Sequence, residues 1–195
     1  FENAYGGSGN DTIVGNEADN VINGNGGNNW LAGGAGNDTL YGNSDDTLYG
    51  GADGDYLSDG KLLVGETGND YLSSYTYYAT LNGNDGADTL FGYYNSTLSG
   101  GADNDSPTGY GSLLVGEAGN DYLNSYASNA VLYGNDGADT LVGSSYSTLY
   151  GGADNDSLTG YGSLLVGEAG NDYLNSSAYH AELYGNDGAD TLVGS

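Results

Sequence analysis

The sequence predicts an all-β solenoid of short stacked coils, and three observations carry that expectation. A nine-residue unit opens at GGSGNDTIV (6–14), returns most cleanly as GGAGNDTLY (33–41) and recurs in variant form along the chain. A longer period rides on it: GETGNDYL starts at 65 and GEAGNDYL at 116 and at 167, a spacing of 51 residues each time. Leu, Ile or Val falls at one fixed place in nearly every unit. Self-similarity at a fixed period is the mark of a repeat architecture, in which each unit buries its apolar face only against its neighbours.

The units come in two kinds. The first keeps a glycine-rich turn that ends in Asp at its sixth place: GGAGND (33–38), GGADGD (50–55), GETGND (65–70), GNDGAD (83–88), GGADND (100–105), GEAGND (116–121), GNDGAD (134–139), GGADND (151–156), GEAGND (167–172) and GNDGAD (185–190). The second kind lies between them and has lost that Asp, as in GYYNSTLS (92–99), GYGSLLV (109–115) and GSSYSTLY (143–150). It is rich in Ser and Tyr. Residues 1–195 therefore read as one continuous solenoid, with super-repeats at 15–64, 65–115, 116–166 and, in part, 167–195. Segments 109–142 and 160–193 differ at four of 34 positions.

Composition narrows the function. One Lys against 27 carboxylates leaves a formal charge of −26, with no basic patch to displace counterions from nucleic acid. High charge with few aliphatic residues often means disorder. Here the placed leucines and glycines argue against it, so the acid requires a partner, and divalent cations are the obvious one. Cysteine is absent, which removes disulfides and thiolate metal sites and fits an extracellular home. No apolar run reaches the length of a membrane helix.

The spelling Gly-Gly-x-Gly-x-Asp-x-Leu/Ile-x, in register from Gly6 to Val193, resembles the calcium-binding nonapeptide of the repeats-in-toxin (RTX) family. The resemblance implies a right-handed parallel β-roll of about eleven coils in two short parallel sheets, about 50 Å long at the ~4.8 Å strand spacing. Two halves make a coil, so all metal turns fall on one edge. Each half is expected to be a six-residue turn and a three-residue strand whose central residue (Leu40, Leu57, Leu72, Leu90, Leu123, Leu141) points inward.

Stacking like turns puts Asp38, Asp55, Asp70, Asp88, Asp105, Asp121, Asp139, Asp156, Asp172 and Asp190 in one column. Carboxylates about 5 Å apart repel by about 1 kcal/mol even in a water-like dielectric. A Ca²⁺ between successive turns relieves this, since calcium takes six to eight oxygens with loose geometry. The resemblance implies these aspartates as ligands together with backbone carbonyls of the turns that begin at Gly33, Gly50, Gly65, Gly83, Gly100, Gly116, Gly134, Gly151, Gly167 and Gly185. Ten turns hold up to nine ions in one file, and Asn20 marks a tenth, weaker place below Asp38. Asp53, Asp103 and Asp154, at the fourth place, are of the type that tolerates left-handed geometry. Glu66, Asp85, Glu117, Asp136, Glu168 and Asp187 read either as solvated charge or as further ion contacts.

The other edge departs from the family. It carries Tyr75, Tyr77, Tyr78, Tyr93, Tyr94, Tyr110, Tyr126, Tyr146, Tyr161 and Tyr179. Tyrosine packing and serine hydrogen bonds replace the lost metal there, or the tyrosines form a partner surface for a glycan, a neighbouring rod or a cell-surface polymer. Leu62, Val64, Leu113, Val115, Leu164 and Val166 make outward apolar spots once every three coils, which favours lateral packing. His180 has Asn129 as its counterpart one period earlier, which argues for a surface role. Pro107 stands where the next copy has Leu158 and removes a ladder donor, so its coil should be weaker.

These readings point to a calcium-binding structural rod of a secreted repetitive protein, such as an extracellular filament, surface layer or adhesin stalk. Assembly with like chains is expected, because open solenoid ends invite strand pairing. A calcium-triggered folding and secretion module of a secreted enzyme or toxin is the alternative. Catalysis by the chain itself is not expected, since its carboxylates sit on glycine turns with no cleft around them.

Overall fold

The computed structural model describes residues 2–161 and 164–194. Gly162 and Ser163, of the degenerate half GYGSLLV (160–166), lie outside the described residues.

Strands account for all of the regular structure in the described residues, and they form two parallel sheets. One sheet has 12 strands and the other 11, and the chain alternates between them at every step, so each pair of strands closes one coil of a solenoid of about eleven turns. Each strand pairs in register with its equivalents one coil away, as in Leu40↔Leu57 and Leu57↔Leu72 on one sheet and Leu48↔Leu63 on the other.

The period-two rule fixes the core. Leu40, Leu57, Leu72, Leu90, Leu123 and Leu141 of the 12-stranded sheet are fully buried, as are Leu31, Leu48, Leu63, Leu81, Leu98 and Leu114 of the other. Two facing rows of leucine thus make up almost the whole apolar interior, a thin core for a chain of this size. Val131 is half-buried and its counterpart Glu182 exposed, as outward places require.

The strands differ in length from the three residues expected of every half. Those of the 12-stranded sheet have three or four residues, but those of the other sheet from Trp30–Ala35 to Glu182–Asp187 have six. The first three residues of each metal turn continue the ladder, with Gly34↔Gly51 and Ala35↔Ala52 still paired. Only the last three turn residues therefore reverse the chain. The second place of the turn takes a positive φ whether it is Gly51 (125°), Glu66 (82°) or Asn84 (82°). Asp53, Asp103 and Asp154 at the fourth place also take positive φ, of 75°, 76° and 73°.

Pro107 is buried in the strand Ser106–Gly109. That strand pairs with the following one only through Thr108↔Asn124 and Gly109↔Ser125, whereas the copy at Ser157–Gly160 pairs through all four residues. The missing amide at Pro107 accounts for the shortened ladder.

Candidate metal centre

All ten sequence-predicted aspartates occupy one place, immediately before a strand of the 12-stranded sheet, and the structure stacks them in a continuous column. Asp38, Asp55, Asp70, Asp88, Asp105, Asp121, Asp139, Asp156 and Asp172 are buried. Their Oδ1 atoms are satisfied in a way the sequence did not reveal: each accepts the backbone N–H of the residue at the same place one coil earlier. Asp55 N–H donates to Asp70 Oδ1 at 2.7 Å and Asp88 N–H to Asp105 Oδ1 at 2.8 Å. The chain of bonds runs from Asn20 N–H (to Asp38 Oδ1, 2.6 Å) to Asp172 N–H (to Asp190 Oδ1, 3.0 Å).

The Oδ2 atoms are different. In all nine buried aspartates, Asp38 through Asp172, Oδ2 is enclosed and has no hydrogen-bond partner. An ionised carboxylate oxygen is an acceptor only, and leaving it buried and unpaired costs several kcal/mol. Its surroundings are also oxygen. A β-carbon built on Gly65 would collide with Asp70 Oδ2 and with the Gly83 carbonyl of the next coil, and one on Gly116 with Asp121 Oδ2 and the Gly134 carbonyl. Gly33, Gly50, Gly83, Gly134, Gly151 and Gly167 repeat the arrangement. Each of these glycines is required because the carboxylate and the next carbonyl fill the space a side chain needs.

This environment shifts the carboxyl groups upward. Burial pushes Asp55 up to about 8, Asp88, Asp105, Asp139 and Asp156 to about 7, and Asp70 to about 6, against an ordinary 3.8. The hydrogen bond from the preceding aspartate opposes the rise, and where neighbouring carboxylates contribute they add to it. Asp38, Asp121 and Asp172 are raised for the same leading reason. The column is thus acidic, acceptor-rich and short of positive charge, which are the conditions that a bound cation satisfies.

Among the described residues no three acidic or histidine side chains converge as a metal cluster. The donor set that fits an ion is therefore an aspartate Oδ2 with backbone carbonyls of adjoining turns. Such a set suits calcium, which accepts many neutral oxygens, better than magnesium, which demands tight octahedral geometry. Glu66, Glu117 and Glu168 are exposed on the rim, as are Asp85, Asp136 and Asp187.

Sequence reasoning also passed over the fifth place of the turn. Asn69 Oδ1 accepts Ala87 N–H at 2.9 Å, Asn104 Oδ1 accepts Asn120 N–H at 2.6 Å, and Asn155 Oδ1 accepts Asn171 N–H at 2.7 Å. These amides tie one turn to the next just outside the carboxylates. The signal was the recurrence of Asn beside Asp in GND and DND.

The opposite edge starts in the same way and then changes. Asp11 N–H donates to Asn29 Oδ1 at 2.8 Å and Asn29 N–H to Asp46 Oδ1 at 2.7 Å, a short second column. Beyond Asp46 the equivalent place holds Lys61, Ala79, Ser96, Ser112, Ala130 and Ser147. Ser74 Oγ donates to the Gly60 carbonyl at 2.7 Å and Ser125 Oγ to the Gly111 carbonyl at 2.8 Å, so serine bridges coils at the start of these turns, whereas Ser96 Oγ and Ser147 Oγ, at the place of the lost acid, are buried without a partner.

The family model of the RTX calcium-binding nonapeptide repeat matches residues 5–40, 24–57, 108–141, 142–163 and 166–195, well over half of the chain. A comparison with curated proteins returned no match. The repeated turn, the buried oxygen-lined column and the family match agree, and the chain belongs to the RTX family of calcium-binding nonapeptide repeats.

Proposed function

We propose that the chain is a calcium-stiffened rod of a secreted repetitive protein, with ions held between successive turns by the aspartates from Asp38 to Asp190. The observation that carries this reading is the row of nine buried Oδ2 atoms without partners. An interior with two rows of leucine and an unneutralised carboxylate column is marginal alone, and cations supply the missing attraction. When bound, calcium supplies charge neutralisation and a bridge between coils; the aspartates and turn carbonyls hold it. Sites with so few carboxylates belong with the weaker extracellular calcium modules, which favours folding outside the cell. The half-buried Leu62, Val64, Leu113, Val115, Leu164 and Val166 on the outer face of the 11-stranded sheet support lateral packing into a filament or surface layer. No catalytic role is assigned to the chain.

Circular dichroism in chelator and in calcium tests the proposal. Calcium is expected to restore β structure to a largely disordered chain, and an unchanged β spectrum after complete chelation would remove calcium from any structural role. A calcium-triggered folding module of a secreted enzyme or toxin is the second reading, favoured by the same coupling of metal to folding. Electron microscopy in calcium separates the two: ordered filaments or sheets support the rod, and dispersed particles support the module.

A further inference from the structure

Charge is divided unevenly across this solenoid. From Glu66 to Asp190 every carboxylate except Glu182 lies in the turns of the metal edge, and the opposite turns carry tyrosine, serine, threonine, asparagine, glycine, alanine and one histidine, His180. On that neutral edge Tyr75, Tyr77, Tyr93, Tyr94, Tyr110 and Tyr126 form an unbroken ladder along the rod. Ring centroids are 5.6 Å apart for Tyr77–Tyr93, 4.5 Å for Tyr93–Tyr94, 5.1 Å for Tyr94–Tyr110 and 5.5 Å for Tyr110–Tyr126. The rings are not sequestered: Tyr75 is 62% exposed, Tyr77 59%, Tyr94 41% and Tyr126 53%. Further along the same edge, Tyr146, Tyr161 and Tyr179 enclose a shallow cavity of about 270 Å³ over Ser145 and Ala178.

We propose that this tyrosine edge binds a neutral, extended polysaccharide lying along the rod. Charge complementarity selects the occupant. From Tyr75 to Ala181 the tyrosine edge carries no carboxylate, lysine or arginine, so it offers a charged polymer no counterion and matches an uncharged one. A cationic partner is drawn instead to the acidic edge. Sugar rings present an apolar face of C–H groups to an aromatic ring and hydroxyls at their rim. Tyrosine offers the matching flat face and a phenol, and the intervening Ser and Asn residues offer hydrogen bonds. The ladder also has a fitting pitch, because coils repeat at ~4.8 Å and sugars in an extended β-linked chain advance by a similar distance. The inference goes beyond the calcium reading and depends on it only for a folded chain.

Isothermal titration of the whole chain in saturating calcium, with folding confirmed by circular dichroism, tests the proposal using cellohexaose and the fully N-acetylated chitin hexasaccharide as uncharged probes. Saturable binding of at least one is expected, with none of the acidic control, a polygalacturonate oligomer. Replacing Tyr94 and Tyr110 together by Ala should weaken binding about tenfold, while the corresponding Phe pair keeps it within about threefold. Calcium-dependent folding measured on the same samples separates lost stacking from lost structure. No saturable binding of either hexasaccharide, equal binding of the acidic oligomer, or undiminished binding by the folded Ala pair would overturn the proposal. Sedimentation of the wild type as a dimer that the Ala pair abolishes would also overturn it, by assigning the edge to a second copy.

Discussion

Asp88 combines two demands in one carboxyl group. Its Oδ1 accepts the Asp70 N–H at 2.7 Å, while its Oδ2 is buried without a partner. Asparagine at this place would keep the first bond and exchange the orphan oxygen for an amide donor facing carbonyls. Asn29 shows the result, since its Nδ2 donates to Asp46 Oδ2 at 3.2 Å. Asp88→Asn is therefore expected to stabilise the calcium-free fold by about 1–3 kcal/mol and to reduce its gain on adding calcium. Thermal melts in chelator and in calcium read both effects, and a loss of stability in chelator would contradict the argument. The raised carboxyl groups give a pH dependence with a definite sign. For groups held at about 7 when folded and near 3.8 when unfolded, folding in chelator is favoured below about pH 4 and weakens as pH rises through about 7. Far-ultraviolet dichroism in chelator should lose β signal on going from about pH 4 to about pH 8, and calcium should reverse that loss most strongly at the higher pH.

At the scale of the element, the strand Ser106–Gly109 shows what one side chain does to a ladder. Pro107 keeps the inward place of a leucine but lacks the N–H, and pairing with the next strand is reduced to two residue pairs. Pro107→Leu, with Leu158 as its natural counterpart, should add about 1 kcal/mol and slow amide exchange around Leu123. Unchanged exchange there would mean that the shortened ladder has another cause. The weak coil was legible in the sequence because Pro has a fixed cost in a sheet. The length of the six-residue strands was not. Gly50, Gly51 and Ala52 have the composition of a turn, yet they continue the ladder, because Gly50 leaves room for the Asp55 carboxylate and the second place takes a positive φ that Glu66 and Asn84 adopt as well as Gly51. Composition alone does not show where pairing stops and reversal begins.

For the whole molecule, periodicity carried most of the information. Spacing placed Leu57 inward and Asp55 in a column because stacking repeats one local geometry many times, so a single correct phase fixes every coil. The hydrogen bonds from Asp38 N–H to Asp55 Oδ1, and their equivalents, were not legible, since they depend on the rotamer each carboxylate takes between coils. They bear on how calcium acts. If calcium merely screened the charge of −26, sodium chloride would replace it, because at about 0.15 M the screening length is about 8 Å. Nine Oδ2 atoms enclosed between coils are beyond the reach of a diffuse ion atmosphere, so the proposed reading has ions bound inside the column. Sodium chloride at about 0.15–0.5 M should therefore leave the chelated chain largely unfolded, whereas calcium should fold it cooperatively, since each aspartate adjoins the ion sites on either side of it. A calcium titration followed by dichroism should be sigmoidal. Folding by sodium chloride alone, or a titration that follows independent sites, would show that the column acts only through its overall charge.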